Sequence, residues 1–167
     1  IRLFRFLVVV FVTCGVTALQ AQTVGPKAEE LSKSRQKGIN FLKTSQAEGG
    51  HWTSPEAPGI SGLITYSLLA SGVPTTDASV QKALKHLSTF IQPDGGIYSP
   101  KSHHSNYETA ICLLAFNAAN KDGQYSETIK KADAFLRKLQ WDDSESTDKS
   151  DPKFGGAGYG RTGDRPD

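Results

Sequence analysis

The sequence predicts an all-α protein built from repeated helical hairpins, and three observations support this fold class. A similar phrase occurs three times, as KGINFL at 37–42, KALKHL at 82–87 and KADAFL at 131–136. Each phrase is followed by a glutamine, a pair of glycines and an aromatic residue. Apolar segments of helical length lie between the phrases. Repeats of this size are expected to stack, because a single hairpin cannot bury its own apolar face.

Two kinds of helix are predicted to alternate along the chain. The segment 79–92 places five apolar residues on one stripe: Val80, Ala83, Leu84, Leu87 and Ile91. This spacing indicates an amphipathic helix with one solvated face. The segments 62–72 and 109–119 contain no charge and are apolar nearly all round, so we expect them to be buried on every side. The sequence therefore predicts half-buried outer helices around fully buried inner helices.

The phrase after each amphipathic helix is predicted to form a joint between two helices. A glycine pair after a helix end supplies a positive φ and a sharp reversal. The glutamine amide can bond to free backbone groups at helix ends, and the aromatic ring covers this polar junction. The predicted joint residues are Gln46 and Trp52, Gln92 and Tyr98, and Gln140 and Tyr159. We expect these residues to stabilise the fold rather than to catalyse a reaction.

Residues 1–21 are predicted to be an export signal. Arg2 and Arg5 precede an apolar run from Phe6 to Val16, and small residues follow that run. The run is shorter than the roughly 20 apolar residues that a membrane-spanning helix needs. We therefore expect an exported protein, periplasmic or extracellular, with no transmembrane helix after the signal is cleaved.

Charge and cysteine content narrow the function classes. The whole chain has 19 Lys and Arg, and removal of the predicted signal leaves 17 against 17 Asp and Glu. A neutral chain gives no support for nucleic-acid binding, so we exclude that class. Cys112 would be the only cysteine left, so we expect no intramolecular disulfide and interpret Cys112 as a buried apolar residue.

The stretch KGINFLKTSQAEGGHW at 37–52 resembles the QW repeat of squalene–hopene and oxidosqualene cyclases. The matching residues are Lys37, Gly38, Phe41, Leu42, Gln46, Gly50 and Trp52. The second copy has one extra residue before its glycines and a tyrosine for the tryptophan, and the third carries an acidic insertion. The resemblance covers about residues 35–160. It implies the α/α-toroid superfamily of terpenoid cyclases and protein prenyltransferase β subunits, and more particularly exported bacterial prenyltransferase/squalene oxidase repeat proteins.

The resemblance implies a closed barrel with more hairpins than this sequence contains. Residues 35–160 would hold two outer–inner hairpins and the outer helix of a third. Residues 22–34 would form a linker and the start of the first outer helix, and 161–167 a truncated tail. The chain begins with Ile1 and stops where an inner helix is due, so we expect a fragment of a longer protein.

The catalytic motifs of the superfamily are absent from this sequence. The nearest match to the D-x-D-D acid of the cyclases, Asp142 and Asp143, lies in a charged, serine-rich loop. The Asp-x-Cys of the prenyltransferase zinc site has no counterpart, and Glu108 stands at the position of its histidine. His103 and His104 are adjacent, and adjacent histidines seldom converge on one ion. We therefore predict no metal site, and no cofactor is evident.

The resemblance places a ligand cavity at the N-terminal ends of the inner helices. The residues nearest its mouth would be Trp52, Tyr66, Tyr107 and Glu108, with core packing or covering of the joints favoured for the aromatic ones. Two functions stay open at this point. One is a cyclase or transferase whose catalytic residues lie outside this fragment, although export argues against a protein prenyltransferase. The other is a non-catalytic exported toroid that binds a lipid, a peptide or a polysaccharide. The expected ligand is a hydrophobic small molecule or polymer, and a polysaccharide lyase would need cavity basic residues that the inner helices lack.

Overall fold

The computed structural model describes residues 25–143 and 148–160, and this part of the chain is all-helical. It contains five helices: α1 (Ala28–Thr44), α2 (Pro58–Ala70), α3 (Ala78–Ser88), α4 (Ser105–Ala119) and α5 (Ser126–Arg137). The all-α prediction is confirmed. Within these ranges no helix has both the length and the hydropathy needed to cross a membrane. The predicted signal at 1–21 and tail at 161–167 lie outside the described residues.

The apolar helices α2 and α4 form the centre of the fold and lie side by side. They run parallel, because Gly59 lies against Tyr107 and Gly62, further along α2, lies against Cys112. A Cβ atom on Gly62 would lie 3.2 Å from Cys112 Cα, so the missing side chain permits the close approach. Helix α2 begins at Pro58, whose fixed φ suits the first helical turn.

The amphipathic helices pack on this central pair, α3 against α2 and α5 against α4. Four of the five stripe residues predicted for α3 are buried in it: Val80, Ala83, Leu84 and Leu87. The fifth, Ile91, lies beyond the helix end and is 37% exposed. Helix α5 buries Ala132 and Phe135 in the same way.

Among the amphipathic helices, the main neighbour of each apolar helix is the one that follows it in the chain. The hairpins predicted from the sequence instead pair each apolar helix with the amphipathic helix that precedes it in the chain. Helix α1 accordingly has no buried residue, and Phe41 in its last turn is 69% exposed. Only Ile39 and Leu42 of α1 pack partly against the core. The connection from α2 to α3, at 71–77, is also shorter than the connection from α1 to α2, at 45–57.

The expectation that α2 and α4 are buried on every side is wrong. Ile60 and Leu63 of α2 are 44% and 46% exposed, and Leu114 of α4 is 43% exposed. Each apolar helix packs against the other apolar helix and against one or two amphipathic helices, and these neighbours leave part of its surface uncovered. The described part of the chain therefore carries apolar faces that are open to solvent.

Candidate functional site: a cleft at the starts of α2 and α4

The first joint connects α1 to both α2 and α3. Gln46 Nε2 donates to Gly50 O at 3.0 Å and to Ser79 O at 2.9 Å. One amide therefore spans the loop and the first turn of α3. Trp52 is buried and donates its indole Nε1–H to Leu42 O at 2.8 Å, which satisfies a carbonyl at the end of α1.

An ion pair supports the same joint. Lys43 Nζ lies 2.6 Å from Asp77 Oδ2, and Asp77 Oδ1 accepts the backbone N–H of Ser79 at 2.9 Å. Asp77 is the N-cap of α3, so this carboxylate ties α3 to α1. The hydrogen bond from Lys43 lowers the pKa of Asp77 below its ordinary value.

The second joint has the same backbone path as the first. Gln92 N donates to Gly96 O at 2.8 Å, and Gly95 N donates to Gln92 O at 3.0 Å. In the first joint Ala47 N donates to His51 O at 3.0 Å, and Gly50 N donates to Ala47 O at 2.9 Å. Gly50 and Gly95 correspond in this register, and both have a positive φ, of 88° and 93°.

This register places Ile97, rather than Tyr98, in the position of Trp52. Each of the two corresponding residues donates its backbone N–H to a hydroxyl on the following apolar helix. Trp52 N donates to Ser61 Oγ at 3.3 Å, and Ile97 N donates to Thr109 Oγ1 at 2.9 Å. Both hydroxyl-bearing residues are fully buried. The starts of α2 and α4 are thus fixed to their joints in the same way.

Gln92 and Tyr98 have other contacts in the second joint. Gln92 Nε2 donates to Phe90 O at 3.1 Å and to Tyr98 O at 3.0 Å, so it stays within its own loop. The buried Tyr98 donates its hydroxyl to Asp94 at 2.6 Å, and its ring stacks on Phe135 at 5.5 Å. Tyr98 therefore connects this joint to α5.

The third joint keeps the glutamine bond but not the aromatic cover. Gln140 Nε2 donates to Gly155 O at 2.8 Å, as Gln46 does to its own glycine. Tyr159 is 55% exposed and lies beyond the joint. Its carbonyl oxygen accepts the N–H groups of Asn106 and Tyr107, at 3.0 and 3.1 Å. The segment after the joint therefore crosses the start of α4.

This crossing completes a cleft of 340 Å³ at the starts of α2 and α4. Its main lining side chains are Ile60, His104, Tyr107, Glu108 and Tyr159, with Ala57 and Gly59 between them. The rings of Tyr107 and Tyr159 have centroids 5.8 Å apart and planes inclined at 64°. His104 lies edge-on to Tyr159 at 6.0 Å. The surface is therefore aromatic and apolar, with one carboxylate in its wall.

Glu108 is that carboxylate, and it is 9% exposed. Its Oε2 accepts the backbone N–H of Ser99 at 2.8 Å. Across the described residues no lysine, arginine or histidine forms an ion pair with it. The lining of the cleft includes no lysine or arginine among those residues.

Tyr66, which the sequence placed with Tyr107 and Glu108, lies elsewhere. It lines a separate groove of 540 Å³ at the C-terminal ends of α2 and α4, beside Val73 and Ala118. The helical rise explains the separation, because Tyr66 is eight residues after Pro58 and hence about 12 Å along the axis. Tyr107 and Glu108 lie in the first turn of α4.

Other reactive side chains in the described ranges give no catalytic constellation. Burial, together with the charge of Glu108, raises the pKa of the Cys112 thiol well above its ordinary range, so this cysteine stays protonated. The sequence interpretation of Cys112 as a buried residue agrees with its position in the core. Within 25–143 and 148–160 no three His, Cys, Asp or Glu side chains are close enough to hold a metal ion.

Sequence reasoning missed a histidine pair in the first joint. The rings of His51 and His86 lie 5.4 Å apart, and His86 packs edge-on against Phe90 at 5.2 Å. Burial and the neighbouring His51 lower the pKa of His86. No local pattern could reveal this pair, because His51 lies in the loop before α2 and His86 lies in α3. The buried hydroxyls of Ser61 and Thr109 were also missed, although both sit early in an apolar helix.

Comparison with known proteins gives no assignment for this chain. No family model matches the sequence, and no curated protein matches it. Functional interpretation rests on the repeated joint and on the cleft that the joints position.

Proposed function

We propose that this chain belongs to an exported α/α-toroid repeat protein that binds an apolar ligand in the cleft at the starts of α2 and α4. The repeated joint supports the toroid part of the proposal. Two loops with the same hydrogen bonds introduce two parallel apolar helices, and each apolar helix packs against the amphipathic helix that follows it. Further units added in the same way would surround the open faces of α2 and α4 and form an inner ring.

The observation that carries the binding proposal is the apolar, partly exposed lining of the cleft. Ile60 is 44% exposed and Tyr107 is 43% exposed at this position. Apolar surface left in water costs about 25 cal/mol per Å², and contiguous exposed patches commonly mark binding sites. A ligand that covers these side chains recovers that free energy. Ile60, Tyr107 and Glu108 lie in the first turns of α2 and α4, so this part of the wall is formed before the ligand arrives.

The polar groups around the cleft disfavour an anionic ligand such as a diphosphate. A helix N-terminus binds anions through its free N–H groups, but Tyr159 O already accepts the N–H groups of Asn106 and Tyr107. Glu108 adds a negative charge, and no lysine or arginine of the described ranges lines the cleft. These features favour an apolar ligand over the diphosphate donor of a prenyl transfer.

A cyclase or transferase activity is the second candidate function. The QW-like stretch at 37–52 favours it, because this stretch resembles the repeat of squalene–hopene and oxidosqualene cyclases. In the structure Gln46 bonds to the first turn of α3 and Trp52 to the end of α1. In that case the catalytic residues would lie outside this sequence, because it contains none of the catalytic motifs of the superfamily.

Binding of 1-hexanol, followed by NMR titration at pH 8, tests the proposed function. Ile60→Ser should weaken hexanol binding about fivefold, because it removes most of one apolar wall. Leu31→Ser is the matched control, since Leu31 is 50% exposed on α1 and is not among the residues that line the cleft. The proposal fails if hexanol does not bind, or if both variants weaken binding equally.

Export is tested separately. Residues 1–24 fused to a reporter that is active only outside the cytoplasm should give reporter activity, because Arg2 and Arg5 precede an apolar run. Replacement of Val8 and Val9 by aspartate should abolish it. A fusion that stays inactive while the reporter accumulates in the cytoplasm would contradict the export proposal.

A further inference from the structure

We infer that the ligand of this cleft carries an organic ammonium group that lies against the rings of Tyr107 and Tyr159 and pairs with the carboxylate of Glu108. The inference rests on the proposed function, since it names the chemical class of ligand for the same cleft.

The first argument is the charge of Glu108. This carboxylate is 9% exposed, and among the described residues it accepts one hydrogen bond, from Ser99 N at 2.8 Å. An ionised carboxylate has about four acceptor positions, and a buried charge costs several kcal/mol unless it is paired. Within 25–143 and 148–160 the protein provides no cation for Glu108. A ligand cation would supply both the missing charge and the missing donors.

The second argument is the position of the two tyrosine rings. Their centroids are 5.8 Å apart and their planes meet at 64°, so they form two walls of a corner. Both rings line the cleft that Glu108 also lines. A cation is attracted to an aromatic face when it lies within about 6 Å of the ring centroid. Alkyl groups on the nitrogen would contact Ile60 and Ala57, which form the apolar remainder of the lining.

The size and donor set of the cleft distinguish an organic cation from other ligands. Its volume of 340 Å³ is near the lower end of the range of about 300–1,000 Å³ for ligand pockets, which suits a small head group with a short chain. A calcium ion needs about six to eight oxygen ligands, and the described lining offers one carboxylate. An anion would be repelled by Glu108. An alkylammonium group fits all three features.

The test compares three probes with the same six-carbon chain at pH 8: hexyltrimethylammonium, 1-hexanol and hexanoate. Binding to the wild-type chain is followed by NMR titration in low salt. Hexyltrimethylammonium should bind about tenfold more tightly than hexanol, through the ion pair and the two rings. Hexanoate should bind more weakly than hexanol, because Glu108 repels its carboxylate.

Glu108→Gln is the decisive variant. A glutamine oxygen can still accept the N–H of Ser99, so the fold should be retained. The cation should lose about tenfold in affinity while hexanol binding stays unchanged. Glu127→Gln is the matched control, because Glu127 is also a first-turn glutamate but lies exposed on α5. Tyr107→Leu provides a second test that keeps the carboxylate, and it should weaken the cation more than hexanol.

The outcomes separate this inference from the proposed function. If hexanol and the cation bind with equal affinity, or if Glu108→Gln changes neither, the ammonium inference is overturned and the apolar site stands. Hexanoate binding more tightly than the cation would also overturn it. If none of the three probes binds the wild-type chain, the inference and the proposed function fail together.

Discussion

The first and second joints have the same backbone path but different side chains. The first has Gln46 and Trp52, and its glutamine and indole bond to α3 and α1. The second has Ile91 and Ile97 at the corresponding positions, and neither side chain has a hydrogen-bonding group. Both joints nevertheless keep the same two backbone bonds, and both present one backbone N–H to a hydroxyl on the next apolar helix.

The difference shows which features define the joint. The shared elements are a glycine with positive φ packed against the next amphipathic helix and a buried hydroxyl at the start of the apolar helix. Gly50 meets the backbone of Lys82, and Gly95 meets that of Lys131. The glutamine and the tryptophan add bonds to a joint whose path these elements already fix. The following four predictions test that order of importance, from the largest expected effect to the smallest.

Gly50→Ala should have the largest effect and lower the free energy of unfolding by about 3 kcal/mol. Its φ is +88°, and a Cβ atom there would collide with Lys82 O. Gly72→Ala is the control, because its φ is +90° with no atom within 4 Å, and it should cost only about 1 kcal/mol. Urea denaturation measures both. Equal losses of stability in the two variants would mean that the contact of Gly50 with α3 adds nothing to the cost of a side chain at positive φ.

Thr109→Val should cost about 2 kcal/mol. It leaves the buried N–H of Ile97 without its partner and removes the hydroxyl bond to Ser105 O, at nearly constant side-chain volume. Ser61→Ala in the first joint should cost about half as much, because its bond from Trp52 N is longer, at 3.3 Å. Thermal and urea unfolding of the two variants provide the comparison. A larger loss for Ser61→Ala would reverse the assigned importance of the two hydroxyls.

Gln46→Ala should cost about 1 kcal/mol, because the amide bridges the loop to the first turn of α3. Gln92→Ala should cost about 0.5 kcal/mol, since that amide bonds only within its own loop. Urea denaturation again measures both. If Gln46→Ala and Gln92→Ala lower the free energy of unfolding equally, the bond from Gln46 to α3 contributes no more than a bond within one loop.

The smallest effect is a pH dependence that belongs to the first joint alone. Burial lowers the pKa of His86 from its ordinary value of 6.5, so the unfolded chain takes up this proton first as the pH falls. Stability should therefore fall as the pH drops from about 6.5 towards the lower native pKa, and level off below it. Thermal unfolding from pH 8 to pH 5 should show this decline, and His86→Gln should reduce it. An unchanged pH profile in that variant would exclude His86 as the source.

Periodic patterns predicted the helical fold, because they are local. The stripe of Val80, Ala83, Leu84 and Leu87 was predicted from spacing alone, and all four are buried. Helix exposure was not predictable in the same way. The sequence of α2 is apolar all round, but its burial depends on how many neighbours surround it, and Ile60 and Leu63 remain exposed.

The joints and the cleft show where sequence patterns become insufficient. Gln92 looked equivalent to Gln46, but backbone hydrogen bonds shift the register by one residue and bring Ile97 to the position of Trp52. Tyr107 and Glu108 were expected near a cavity mouth, and both line the cleft. Tyr159 was expected at a joint, yet its loop carries it to the start of α4. Such a long-range contact leaves no trace in local spacing.

The most direct test of the proposed role is to locate the bound ligand by backbone amide shifts. A ¹H–¹⁵N titration with hexyltrimethylammonium should perturb residues 57–60, 104–108 and 159, where the two joints bring α2 and α4 together around the cleft. The amides around Tyr66 and Val73, in the groove at the opposite helix ends, should stay unchanged. Perturbations centred on that groove, with none at 104–108, would contradict the assignment of the cleft as the binding site.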